Sequence, residues 1–316
     1  MKIHGLDEAA LGPRLGPFCA CLIKFQSTED HPFSVSLYEV LKAATAAEPS
    51  SSAGIIIADS KKIYQPSRGI AALEHSIGIF LEIAGAGFPH SLESLVRSLC
   101  PPEDCALLAA CPWFEEAAET VLPLSNLNLE HVAEQADVMR QCLLENRISF
   151  QRPAMRFITA AKFNELLIEN KNKSIAVRTI LYPLLEESLN TDEEGRLAVD
   201  RQGGRRYYFP WLRELFPGMP LEILSEEARR SAYLAGKTRI EFLVAADALH
   251  LETALASMFA KYLREAAMYE FNRWWMRRVS NLRPTAGYPQ DAERFIACLR
   301  AAEQFPQNAD ILVRRL

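Results

Sequence analysis

Short apolar runs of strand length alternate with long stretches of helical spacing along most of the chain, and this alternation restricts the fold more than any other feature. CACLIKF (19–25) and AGIIIAD (53–59) read as buried strands. ISFQRPAMRFI (148–158) reads as another, RLAVD (196–200) as a short one ending on an acid, and RIEFLVAAD (239–247) as a further one. PSRGIAALEHSIGIFLEIA opens on proline and serine, then places Ile70, Leu73, Ile77 and Leu81 at helical intervals. LEHVAEQADVMRQCLLENR (129–147), the stretch 163–189 and the stretch 251–279 read as helices. No internal repeat, linker or low-complexity tract interrupts them. The expected class is α/β, one domain over residues 1–316, with an acidic helical insertion at 84–135 and a helical C-terminal region at 266–316.

The bulk numbers are those of a globular chain. Of 316 residues, 49% are hydrophobic and 24% charged, enough apolar surface for a large core. No stretch approaches the roughly 20 apolar residues of a membrane helix, so no membrane partner is expected. Asp7 and Glu8 stand where a secretory leader would be apolar, and an odd count of seven cysteines suits reduced thiols. Both point to the cytoplasm. Cys100, Cys105 and Cys111 lack zinc-knuckle spacing and a completing histidine, and Cys19 and Cys21 share one strand face as core thiols.

Net charge is −5 but unevenly spread. Residues 84–147 hold ten acids against three bases, whereas 261–283 hold six Lys or Arg against Glu265 and Glu270. The basic stretch is sufficient for phosphate contact, although a charged face is most often simply solvated. The insertion should pack away from any duplex, as core extension or as a contact for another protein.

HGLDEAALGPRLGP (4–17) sets two carboxylates before a glycine- and proline-broken loop. Such loops offer amides to phosphates, which Asp7 and Glu8 would repel. Divalent cations resolve the conflict. Asp7 and Glu8 on a first strand, Asp200 at the end of another and Glu265 on the late helix could together hold Mg²⁺ or Mn²⁺, which prefer carboxylate oxygens. A two-metal site is the usual device for phosphodiester hydrolysis. The glycines at 5, 12 and 16 fit neither G-x-G-x-x-G nor a P-loop, so a dinucleotide-binding reading has no support. His4, His75 and His250 share no ligand spacing. Trp274 and Trp275 could stack on bases or close the core, and packing is expected for at least one.

Several blocks together resemble the type 2 ribonuclease H family, ribonuclease HII in particular. GLDEAALGPRLGP is similar to its G-[IV]-D-E-A-G-R-G-P-x-x-G-P signature, and IADSKKI (57–63) to its D-S-K-K-L block. AVDRQ (198–202) falls at the strand bearing the third acid. ADALHLETALASMFAKYLRE (246–265) resembles the block that opens on A-D-A-K and closes on A-A-S-I-x-A-K-x-x-R-D, and AGYPQD (286–291) resembles G-S-G-Y-P-S-D. The resemblance spans most of the chain outside residues 84–135.

It implies a ribonuclease H-like mixed central sheet flanked by helices, with the acids at one edge. It implies Asp7, Glu8, Asp200 and Glu265 as catalytic, metal-binding carboxylates. Ala10, Leu11, Gly12, Lys61, Ser257, Lys261 and Tyr288 would bind substrate, with Tyr288 against the sugar at an RNA–DNA junction and the C-terminal region contributing contacts. The implied reaction cuts the RNA strand of RNA–DNA hybrids, leaving 3′-hydroxyl and 5′-phosphate ends. The alternative is a catalytically impaired module of the same fold that binds nucleic acid or protein.

Two departures from the family pattern matter. Ala10-Leu11-Gly12 replaces G-R-G, whose backbone reads the ribose 2′-hydroxyl, so preference for long hybrids over single ribonucleotides is expected. Glu265 replaces an aspartate, an exchange that some ribonuclease HIII members accept.

Overall fold

The computed structural model of the protein describes residues 1–28, 35–46, 54–64, 69–189, 193–201 and 203–315. The chain begins with an antiparallel pair, β1 (Lys2–Ala9) and β2 (Phe18–Ser27). A short helix α1 (Leu37–Val40), two-residue strands β3 (Thr45–Ala46) and β4 (Ile55–Ile56) and helix α2 (Ser60–Ile63) follow. Four helices come next: α3 (Ala71–Ile83), α4 (Leu92–Leu99), α5 (Pro102–Ala109) and α6 (Leu129–Glu145). Strand β5 (Ile148–Ile158) leads into α7 (Ala160–Asn170) and α8 (Lys173–Leu189), then β6 (Gly195–Asp200) and α9 (Phe209–Leu215). A meander of β7 (Leu221–Glu226), β8 (Arg230–Ala235) and β9 (Thr238–Leu243) precedes α10 (Leu251–Arg278) and α11 (Pro289–Ala301).

Seven strands form one mixed sheet in the order β5-β2-β1-β6-β9-β8-β7. β1, β6 and β9 are parallel, and the remaining pairings are antiparallel. This is the mixed central sheet flanked by helices that the motifs imply. Pro153 lies in β5, an edge strand, where the register against β2 shifts between Leu22 and Lys24; an edge bulge is where a residue without an N–H is tolerated.

The period-two pattern divides the core. Cys19, Cys21, Ile23 and Phe25 of β2 face the layer containing α3, α4, α6 and α10. Phe18, Ala20 and Leu22 face the opposite layer of α7, α8 and α9. α10 crosses β1 so closely that a Cβ on Gly5 would lie 2.3 Å from the carbonyl carbon of Glu252. The first turn of α10 is buried there, with Glu252 paired to the equally buried Arg196 at 3.0 Å.

Three sequence expectations change in detail. The strand expected at 53–59 shortens to β4, which pairs with β3 outside the main sheet; residues 47–53 lie outside the described residues. The helix expected at 163–189 breaks at Lys171, whose left-handed backbone ends α7. The strand expected at 239–247 stops at Leu243, because Ala245 turns through φ 57° into a single 3₁₀ turn at Ala246–Ala248.

The acidic segment belongs to the main core: Leu92, Leu95, Trp113 and Phe114 are buried in the same cluster as α10. Buried carboxylates tie it down. Asp104 accepts from Arg156 through Nε at 2.8 Å and Nη2 at 2.9 Å, and from the Phe157 backbone at 2.7 Å. Glu74 accepts from the backbones of Leu124 and Ser125 and from the Tyr262 hydroxyl. Among the described residues no helix is long and apolar enough to cross a membrane, and all seven cysteines are free.

Candidate active site

Asp7 and Asp200 reach the same end of the sheet because their strands run parallel and adjacent, with Leu6 opposite Val199. Glu8 follows Asp7 at the end of β1. After β9 the 3₁₀ turn brings in Asp247, which the backbone N–H of Ala246 anchors by donating to Asp200 Oδ1 at 3.0 Å. These four carboxylates line a cleft of about 240 Å³. Lys261 and Arg264 of α10 line it too, as does the loop from Ala10 to Pro13. Tyr288, half exposed at the start of α11, stands at its rim.

The acids act on one another. Burial, with Glu8 and Asp200 close by, pushes the Asp7 carboxyl well above the usual carboxylate range, against a hydrogen bond from Ser257. Asp7 Oδ1 also accepts from the backbone of Glu8 at 2.7 Å. Like-charged carboxylates in a partly desolvated cleft call for a counter-cation, and oxygen donors of this kind suit Mg²⁺ or Mn²⁺. The donor chemistry of Asp7, Glu8, Asp200 and Asp247 therefore fits such ions. Among the described residues no three His, Cys, Asp or Glu side chains stand at the mutual spacing of a preformed cage.

Glu265 is not part of this set. It follows the cleft-lining Lys261 by one turn of α10 and lines a separate hollow with Tyr269 and Asn272. There it accepts from Tyr64 at 3.0 Å and pairs with Lys261 at 2.8 Å and Arg264 at 3.3 Å. The expectation of Glu265 as the fourth cleft acid is corrected to Asp247. The signal was present in the sequence, as the aspartate of the A-D-A at the head of the 246–265 block.

The remaining expected residues divide as follows. Ala10, Leu11, Gly12, Ser257, Lys261 and Tyr288 all line the cleft. The Lys61 backbone lies in α2, and its side chain lies outside the described residues. Ser257 is buried against Ser60, 3.1 Å between hydroxyls. Ala10 holds φ 74°, the left-handed conformation that glycine would adopt without strain.

The loop that follows Ala10 is clamped from two sides. Arg14 and Leu15 donate to the carbonyl of Gly287 at 2.7 and 3.2 Å, and the Arg314 guanidinium donates to the Pro13 carbonyl. Arg264 donates to the carbonyl of Ala286 at 2.7 Å, so α10 and the cleft loop are both bonded to the 286–288 segment.

The basic stretch at 273–278 is not offered to the cleft. Arg277 pairs with Glu116, Arg278 with Glu115 at 2.9 Å, and Arg273 with Glu270 at 2.7 Å. The acids of the insertion thus neutralise the basic end of α10, and no residue of 84–135 lines the acid cleft. Trp275 is buried and Trp274 donates to Glu115 at 2.7 Å, so both tryptophans pack around Trp113.

No family model matches the chain, and no curated protein matches it. Among solved structures it is similar to the RNase HII of Archaeoglobus fulgidus in a complex with PCNA, at 12% identity and TM-score 0.44, over 99% of this chain and 94% of that one. It is similar also to the ribonuclease H2 of Pyrococcus horikoshii, at 13% identity and TM-score 0.40, over 99% and 92% of the two chains. A third is Bst-RNase HIII in complex with Mn²⁺, at 14% identity and TM-score 0.43, over 99% of this chain and 66% of that one. All three are type 2 ribonucleases H.

Proposed function

We propose that the protein is a metal-dependent endonuclease that hydrolyses the RNA strand of RNA–DNA hybrids and leaves 3′-hydroxyl and 5′-phosphate ends. One observation carries the reading: Asp7, Glu8, Asp200 and Asp247, drawn from three separate parts of the chain, meet in one cleft beside Lys261 and Arg264. Four acids alone would repel a nucleic acid, and two cations alone would not explain the acids. Together they suit a phosphodiester that reaches the acids with divalent cations.

When bound there, two Mg²⁺ or Mn²⁺ ions would supply an activated water and stabilise the leaving oxygen. The chain's own residues do the rest. Lys261 offers a cation to the phosphate backbone from α10, while the buried Arg264 positions the rim by donating to the Ala286 carbonyl. The amides of the Ala10–Gly12 loop face the sugar, and Tyr288 offers a ring to the base or ribose at the rim. The buried carboxylate of Asp7, held by Ser257 and the Glu8 amide, keeps its donor oxygens fixed toward the cleft.

A continuous RNA–DNA hybrid with labelled RNA, incubated with Mg²⁺ or Mn²⁺ and with a chelator, tests the proposal. Cleavage that the chelator abolishes, with ends that a 3′-hydroxyl-dependent polymerase extends, is expected. Tight binding without cleavage under either metal would instead support the non-catalytic binding module.

A further inference from the structure

We infer that a second basic hollow, beside the acid cleft, is a backbone-phosphate subsite of the same nucleic-acid substrate. This inference rests on the proposed nuclease reading and names where one flank of the duplex is held. The hollow, of about 310 Å³, is lined by Arg230, Arg239, Glu241, Leu243, His250 and Ser36.

Its position follows from the sheet register. Asp200 of the acid cleft lies opposite Leu243 on β9, and Leu243 lies opposite Arg230 on β8. Asp200, Leu243 and Arg230 therefore form one row across three neighbouring strands. At about 4.8 Å between strands, Arg230 sits roughly 10 Å from Asp200. That separation matches about three nucleotide steps at roughly 3.4 Å each along a duplex axis. The two hollows are also joined by sequence, since Asp247 lines one and His250 the other.

The charge balance of the hollow points to an anion. Both arginines are held by one carboxylate oxygen, Glu241 Oε1. Arg230 reaches it through Nε at 2.8 Å and through Nη2, and Arg239 through Nε and Nη2 at 3.2 Å each. Glu241 is 8% exposed, whereas Arg230 is 41% and Arg239 26% exposed. A buried single charge thus pre-orients two half-open guanidinium groups and leaves the site net positive. Guanidinium planes held in this way suit the paired oxygens of a phosphodiester. The contrast with the end of α10 is direct, because the arginines there are matched by Glu115, Glu116 and Glu270.

The test measures binding of a fluorescent RNA–DNA hybrid in chelator, across a salt series, alongside cleavage by the unmodified chain. The double variant Arg230→Gln, Arg239→Gln is expected to weaken binding at least about tenfold and to lower the salt slope by about 1 to 2. Glu241→Gln, which relieves the two arginines of their competing carboxylate, is expected to tighten binding severalfold. Damage to the fold would move both variants the same way, so the opposite signs separate a subsite from a structural role. An unchanged salt slope in the double variant, or weaker binding by Glu241→Gln, overturns the subsite while cleavage by the unmodified chain upholds the parent reading. Failure of the unmodified chain either to bind or to cleave hybrid when Mg²⁺ or Mn²⁺ is present overturns both.

Discussion

The backbone N–H of Ala246 donates to Asp200 Oδ1 at 3.0 Å, joining the end of β6 to the turn that follows β9. That one bond sets Asp247 at the cleft beside Asp7 and Glu8. The left-handed backbone of Ala245 makes the turn between the end of β9 and Asp247.

Asp247→Asn is therefore expected to reduce hybrid cleavage by about a hundredfold or more, the scale on which misplacing a reacting group acts. Glu265→Gln is expected to leave the metal dependence intact, because Glu265 is engaged with Tyr64, Lys261 and Arg264 instead. Steady-state rates against Mn²⁺ concentration check this. An equal loss from both variants would return Glu265 to the metal-binding set.

Ala10 holds φ 74°, at a cost of about 1 kcal/mol that glycine would not incur. Ala10→Gly should raise the stability by about that amount in urea melts. Combined with Leu11→Arg it should shift cleavage from continuous hybrids toward duplexes holding one ribonucleotide. The unmodified protein should prefer the continuous hybrid, and equal rates on the two substrates would contradict this.

Gly5 lies under the first turn of α10, with no room for a methyl group between strand and helix backbone. Gly5→Ala should destabilise the fold by about 3 kcal/mol, the upper range for overpacking a rigid contact. The loss should appear as an earlier thermal transition with and without Mg²⁺. A neutral outcome would mean that α10 can shift away from β1.

His4 is buried beside Ser188, with 2.8 Å between Nδ1 and Oγ. Burial, helped by Lys2 and Lys24, lowers its pKa from 6.5 to about 3. The unfolded chain binds a proton at His4 near pH 6.5 while the folded chain remains neutral to about pH 3. Stability from this group is thus full above about pH 6.5 and falls as pH drops toward 3, by about 1.4 kcal/mol per unit within the window. His4→Gln should flatten the acid limb of a melting-temperature profile between pH 6 and 4. An unchanged limb would assign the acid sensitivity elsewhere.

Much of the architecture is legible in local sequence. Alternating apolar residues in β2 and helical spacing in α3 and α6 identify their elements because side-chain periodicity is a property of the local backbone. The apolar run of β5 was legible as a strand, and its edge position, which suits a proline without an N–H, came from the sheet order. Asp7, Glu8, Asp200 and Ala10 were singled out in the sequence through the blocks that resemble the type 2 ribonuclease H signatures, and all four line the cleft.

What only the tertiary structure decided concerns distance between remote segments. Asp247 and Glu265 lie in one continuous block of sequence, yet a tight turn puts the first in the cleft while the second faces a separate hollow, bonded to Tyr64. The basic residues at the end of α10 read as a phosphate-binding patch until the fold sets Glu115 and Glu116 against them. Arg230 and Arg239, unremarkable in sequence, become a pair because neighbouring strands share Glu241. Local periodicity is encoded residue by residue, whereas charge pairing depends on which strands and helices meet, and that is settled by packing the whole core.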